Sequence, residues 1–268
     1  MRVELIMAEF GEERKNMGGN LFEGSQRLDP TLTTFTNHMK DYDLSLTLIT
    51  DTEVSVNTEL PYTVEMIQDN IFDNNSISSR GEQRHGNRSN DYYKVKGLLE
   101  SDADIAICMD SDMYVVNDEF KTIVPLTQKF GMCIPENPRL QVRFDGIRGM
   151  DGNYSLDEDP TRGNGMITNM SPITLDTSNQ DARDLLKEYL NEMETNPARG
   201  PLSMWRAIWK RGWNPCILPF QWCVCDMSVG INDVICLHTG HQKVADYYLE
   251  KCWEDFLHLE ILGVGEME

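Results

Sequence analysis

Two carboxylates follow a short apolar run near the middle of the chain. The sequence Asp104-Ile-Ala-Ile-Cys-Met-Asp110-Ser-Asp112 predicts a buried strand over residues 105–109 that delivers Asp110 and Asp112 at its carboxyl end. Residues i and i+2 of an extended segment point to the same side, and two neighbouring carboxylates repel each other unless a cation lies beside them. Hard divalent ions bind carboxylate oxygens and bridge to phosphate. The pair therefore indicates a metal site suited to a diphosphate.

A second apolar run, late in the chain, ends in a histidine. Its sequence is Val234-Ile-Cys-Leu-His238-Thr-Gly240-His-Gln-Lys243. The imidazole of His238 is a suitable third ligand for Mn²⁺, with Mg²⁺ as the alternative ion. Gly240 lets the backbone approach a ligand closely, and the ammonium of Lys243 can meet a diphosphate oxygen as a point charge.

An apolar run with Asp-x-Asp, followed by a late His-x-Gly-x-x-Lys, resembles glycosyltransferase family 8, the glycogenin and bacterial galactosyltransferase-like group. That family has the GT-A nucleotide-sugar fold. The resemblance implies that Asp110, Asp112 and His238 bind Mn²⁺ and that Lys243 contacts the diphosphate of the donor. The Lys-Pro-Trp that family members carry after the His-x-Gly is absent here beyond the lysine, where Val244 follows.

The resemblance also points to residues that would contact substrates. Family members carry an aromatic-x-Arg segment before the Asp-x-Asp strand, and here Lys94 takes the place of the arginine, which keeps the charge but loses the bidentate fork. The family's Asn-x-Gly stretch resembles the segment around Asn164, a possible substrate contact. Asp51, after a predicted strand, and Ser111 are assigned to donor binding, and Trp222 to possible substrate contact.

Apolar segments and helical patterns alternate along the chain. This alternation predicts an α/β fold with a mainly parallel, partly mixed central sheet flanked by helices. The segment over residues 69–90 is polar and is predicted to be a mobile loop. Strands are predicted over 3–8, 44–50, 62–67, 105–109, 131–135, 166–170 and 234–237, and helices over 31–40, 91–100, 118–130, 181–194, 201–210 and 244–262.

No linker or repeat divides the chain, so we expect one GT-A-like domain over residues 1–268. Residues 1–117 would form its nucleotide-binding half. Residues 118–268 would form the acceptor-side half and the C-terminal helix.

Composition excludes several classes of protein. The 268 residues include 44 acidic and 24 basic side chains, so the net charge of −20 argues against nucleic-acid binding. No apolar stretch is long enough for a membrane span, and the start of the chain does not resemble a signal peptide. Seven cysteines in such a chain are expected to be reduced thiols. We therefore expect a cytoplasmic protein.

The function we expect is metal-dependent transfer of a hexose from a nucleotide sugar, a UDP-sugar by preference, to an unknown acceptor. The resemblance implies retention of anomeric configuration. No residue can be assigned as the catalytic nucleophile. Two alternatives stay open. A haloacid-dehalogenase-type phosphohydrolase also places an Asp-x-Asp after a strand, and a non-catalytic sugar-binding relic of the GT-A fold would carry the same motifs.

Overall fold

Nine strands and five α-helices make up the part of the chain that the structure describes. The computed structural model describes residues 1–10, 28–54, 56, 58–72, 87–137, 168–195, 200–225, 227, 229–238 and 247–248. The strands are β1 Arg2–Glu9, β2 Asp43–Thr50, β3 Tyr62–Met66, β4 Ile105–Cys108, β5 Met113–Val115, β6 Met132–Pro135, β7 Ile173–Asp176, β8 Cys216–Leu218 and β9 Cys236–His238. The helices are α1 Leu28–Met39, α2 Asn87–Glu100, α3 Ile123–Phe130, α4 Gln180–Thr195 and α5 Gly200–Arg211.

Seven strands form one sheet in the order β3-β2-β1-β4-β7-β6-β8. Strands β1, β2, β3 and β4 pair in parallel, and β6 pairs in parallel with β8. Strand β7 runs antiparallel to both of its neighbours, β4 and β6. The predicted α/β class, with a mainly parallel and partly mixed sheet, is confirmed.

The central strands of the sheet are buried on both faces, and β1 shows how their side chains divide. Val3, Leu5 and Met7 belong to one apolar cluster, while Ile6 and Ala8 belong to the other. This division follows from the period of two in a strand. The first cluster includes residues of α1 and α3, and the second includes residues of α2, α4 and α5, so helices cover both faces.

Helix α2 begins four residues earlier than the sequence predicted. Residues 87–90 were expected to belong to the polar loop 69–90, but they form the first turn of the helix. Two tertiary contacts stabilise this turn. The side-chain oxygen of Asn90 accepts a hydrogen bond from the backbone N–H of Phe10 at 3.0 Å, and Ser89 is hydrogen-bonded to Asn70. Residues 73–86 of the predicted mobile loop lie outside the described residues.

The prediction of a strand over 166–170 is wrong for residues 168–170, which are the part that the structure describes. Thr168 forms only an isolated bridge with Glu136, and the strand that fills this place in the sheet is β7. The short strands β5 and β8 were not predicted. Residues 118–130 form a 3₁₀ turn, Asp118–Thr122, followed by α3.

Strands β5 and β9 form a separate two-stranded antiparallel ladder. Of the predicted C-terminal helix, only residues 247–248 are described, and they are helical. None of the described helices combines the length and the apolar character needed to cross a lipid bilayer.

Candidate metal centre

The first metal-ligand candidate, Asp110, follows β4 by two residues at the carboxyl edge of the sheet. The alignment of β4 with β1 continues one residue beyond the strand, because the N–H of Met109 donates to the carbonyl oxygen of Ile6 at 3.1 Å. The chain then turns, and the N–H of Met113 donates to the carbonyl oxygen of Asp110 at 3.3 Å. The turn keeps Asp110 and Asp112 close together at this edge.

The β5–β9 ladder brings His238 to the same place. In its register Met113 is the partner of His238, so the imidazole lies beside the residue that follows Asp112. The backbone N–H of His238 donates to the carbonyl oxygen of Val224 at 3.0 Å, which fixes the end of β9. The Nε2 atom of His238 lies 3.2 Å from Oδ1 of Asp112 and 4.0 Å from Oδ2 of Asp110.

The three side chains fit a divalent cation. One ligand atom from each of Asp110, Asp112 and His238 lies within 4.8 Å of the other two. Adjacent ligands of an ion with bonds of about 2.1 Å are separated by about 3 Å in octahedral geometry, close to the shortest of these separations. The side chain of Asp112 is only 6% exposed, so its negative charge is poorly solvated. Two carboxylates and one imidazole form a ligand set suited to Mn²⁺ or Mg²⁺.

Lys94, on α2, contacts the first of these carboxylates. Its side chain has no exposed surface, and its ammonium is paired with Oδ1 of Asp110 and donates to the carbonyl oxygen of Met170 at 3.2 Å. Burial alone would lower the pKa of Lys94, but the charges of Asp110 and Asp91 raise it to about 12. The ammonium is therefore charged at neutral pH. The residue expected to bind the donor is, in this structure, a direct partner of a metal-ligand candidate.

Ser171, two residues before the start of β7, is hydrogen-bonded to the backbone of Asp110. Because β7 is antiparallel to β4, the residues that precede it lie at the carboxyl end of β4. The N–H of Asp110 donates to the hydroxyl of Ser171 at 2.7 Å, and that hydroxyl donates to the sulfur of Met113 at 2.8 Å. Ser171 thus connects the residues on both sides of the turn.

Two residues assigned to donor binding lie at this edge of the sheet. Ser111 lies between the two aspartates in the sequence, and its side chain is buried. Its hydroxyl has no hydrogen-bond partner among the described residues. Its carbonyl oxygen accepts a hydrogen bond from Thr31 of α1 at 2.8 Å. Asp51 follows β2, and in the sheet only β1 separates β2 from β4.

Of the other predicted contacts, the structure describes only Trp222. Trp222 is 5% exposed and belongs to the core, where its ring lies 5.8 Å from that of Phe120. A buried ring of this kind offers no open face to a sugar. Asn164, Gly240 and Lys243 lie outside the described residues.

Sequence reasoning missed Asp91, whose charge raises the pKa of Lys94, and Ser171, which is hydrogen-bonded to the backbone of Asp110. Asp91 was treated only as the start of a helix, although its position three residues before Lys94 places both on one side of α2. Ser171 could not have been found, because its role depends on the antiparallel strand β7, which was not predicted.

No protein-family model matches the sequence. A search of curated proteins found no significant match. The family of the chain is therefore not established, and the similarity to glycosyltransferase family 8 rests on the two short motifs.

Proposed function

We propose that the protein is a metal-dependent glycosyltransferase with a GT-A fold that transfers a hexose from a nucleotide sugar, with a UDP-hexose as the donor, to an acceptor. The observation that carries the proposal is the grouping of Asp110, Asp112 and His238 at the carboxyl edge of parallel strands. Asp110 follows β4, Asp112 immediately precedes β5, and His238 ends β9.

The position of this group in the sheet supports a nucleotide ligand. From β1 the chain continues to β2 and β3 on one side, while β4 pairs on the other side of β1. The direction of winding therefore changes between β1 and β4. In open α/β sheets, ligands bind outside the carboxyl ends of the strands at such a point. Asp110 follows β4 directly beside it.

The charges of the site support a diphosphate bound together with a metal ion. A chain with a net charge of −20 repels an anionic nucleotide unless cations neutralise it locally. A bound divalent ion supplies Lewis-acid stabilisation of the negative charge that develops on the leaving diphosphate. Asp110, Asp112 and His238 would hold the ion, and Lys94 contacts the Asp110 carboxylate.

The protein's own groups have separate tasks in this proposal. His238 would bind the ion through Nε2 of its neutral imidazole. Asp51, at the end of β2, lies on the side of β1 that would hold the nucleoside. We propose retention of configuration because of the family resemblance, and we assign no nucleophile.

The proposal is tested by incubating the protein with a panel of UDP-, GDP- and CMP-sugars and Mn²⁺, and measuring nucleotide release with and without candidate acceptors. We expect release of UDP from a UDP-hexose that requires Mn²⁺. Release of phosphate from phosphate monoesters with Mg²⁺, without UDP release, would instead identify a phosphohydrolase. UDP-sugar binding without turnover across the acceptor panel would identify a sugar-binding relic.

A further inference from the structure

Helix α2 carries two side chains of opposite charge, Asp91 and Lys94, and Lys94 contacts a candidate metal ligand. Asp91 and Lys94 are three residues apart, and such residues are neighbours on one side of a helix. Asp91 is 6% exposed and Lys94 is fully buried. Lys94 contacts Asp110, so Asp91, Lys94 and Asp110 are consecutive members of a row of charges, of which Asp91 and Lys94 are buried and Asp110 is partly buried.

Asp91 is held in place from the opposite direction by α4 and α5. Its carboxylate oxygen Oδ2 accepts a hydrogen bond from the N–H of Gly200, the first residue of α5, at 3.2 Å. Its carbonyl oxygen accepts a hydrogen bond from the hydroxyl of Tyr189 at 3.1 Å. A β-carbon at position 200 would lie only 2.8 Å from Oδ2, so the close approach of α5 requires glycine there.

We propose that Asp91 is a positioning residue that balances the charge of Lys94, so that Asp110 stays available to a divalent cation. This inference rests on the metal site of the proposed function. With Asp91 present, the charges of Asp91, Lys94, Asp110 and Asp112 sum to −2, which matches one divalent cation. Without the charge of Asp91 they sum to −1, and Lys94 then competes with the ion for Asp110.

The experiment measures the binding of Mn²⁺ alone to the full chain. Mn²⁺ is titrated into the protein, and the electron paramagnetic resonance signal reports the concentration of free aqueous ion. Asp91→Asn keeps an oxygen that accepts the hydrogen bond from Gly200, but removes the charge. We expect Mn²⁺ to bind about tenfold more weakly to this variant. The matched control is Asp102→Asn, which makes the same change in net charge at a side chain that is 91% exposed and precedes β4. It should leave the affinity unchanged.

A second substitution separates charge balance from a purely structural role. In Asp91→Asn combined with Lys94→Met, the remaining charges of Asp110 and Asp112 again sum to −2. We therefore expect Mn²⁺ affinity to return to within about threefold of wild type. Affinity as low as in Asp91→Asn alone would overturn the proposal, and so would wild-type affinity in Asp91→Asn. Melting temperatures are recorded for every variant.

Lys94→Met alone provides an independent test if Asp91→Asn does not fold. It removes the cation that competes for Asp110, so Mn²⁺ should bind at least as tightly as to wild type. Weaker binding would show that Lys94 serves the ion by orienting Asp110, and would overturn the proposal. Failure of the metal site itself gives a different result, because wild type and Asp110→Asn would then bind Mn²⁺ equally poorly.

Discussion

Met113 lies directly opposite His238 in the β5–β9 ladder, although the two residues are far apart in the sequence. Asp112 immediately precedes Met113, and the Nε2 atom of His238 lies 3.2 Å from Oδ1 of Asp112. Backbone pairing between two three-residue strands therefore brings the imidazole to the carboxylates. The separation of these ligands is set by strand register as well as by side-chain rotamers.

Removing either ligand from this pair should abolish ion binding while the fold is retained. We expect Asp112→Asn and His238→Ala each to weaken Mn²⁺ binding by at least about 100-fold and to abolish sugar transfer, because incomplete coordination leaves the ion weakly held. Isothermal titration calorimetry measures the affinity, and circular dichroism monitors the fold.

The control for these substitutions is Asp43→Asn. Asp43 is an exposed acid at the first position of β2, at the opposite edge of the sheet from the candidate centre. This variant should bind Mn²⁺ as wild type does. Full activity in Asp112→Asn would remove the metal centre from the proposed mechanism.

Nucleotide binding should depend on the ion. We expect UDP to stabilise the protein only when a divalent ion is present, and Mn²⁺ to be more effective than Ca²⁺, because a set that includes imidazole favours a transition metal. At a UDP concentration 100 times its dissociation constant, the gain is about 2.7 kcal/mol in the free energy of unfolding. Thermal unfolding measures it, and equal stabilisation by UDP in excess chelator would contradict the prediction.

Trp222 and Trp209 differ in burial and should therefore differ in their contributions to stability. Trp222 is 5% exposed, whereas Trp209 on α5 is 53% exposed. We expect Trp222→Ala to lower the free energy of unfolding by about 3–5 kcal/mol, because it leaves a large cavity against Phe120. Trp209→Ala should change it by less than about 0.5 kcal/mol. Urea unfolding compares the two, and equal effects would show that burial does not determine their contributions.

The thiol of Cys133 should be unreactive in the native protein. Burial raises its pKa to about 12 from an ordinary 9.0, so the reactive thiolate is scarce at pH 8. Its contribution to stability is complete below pH 9 and is lost as the pH rises towards 12, because the unfolded chain releases the proton first. Iodoacetamide labelling with peptide mass spectrometry should modify Cys133 only in urea, and rapid native labelling at pH 8 would contradict this.

The strands and helices predicted best are those whose signal is local. The long apolar strands β1 and β2 and the amphipathic helix α4 were predicted within one or two residues of their observed ends. In α4 the buried residues Leu185, Leu186, Tyr189 and Met193 follow the helical period on which the prediction relied. The Asp-x-Asp pair was likewise visible, because its strand precedes it immediately.

What could not be predicted depends on partners distant in the sequence. Strand β5 has only three residues and is defined by its pairing with β9. Asn87–Asn90 is as polar as a loop, and becomes helical where Asn90 accepts a hydrogen bond from Phe10. Lys94 was recognised as a cation near the site, but its contact with Asp110 depends on how α2 packs against the sheet.

The reversed direction of β7 links the core of the protein to the candidate metal centre. Ile173, the first residue of β7, is fully buried in the core, and Ser171, two residues earlier, holds the backbone of Asp110. A substitution that shifts Ile173 would therefore also displace a candidate metal ligand. Under the proposed function, selection for ion binding would restrict which apolar residues this part of the core can accept, even though none of them is a candidate ligand.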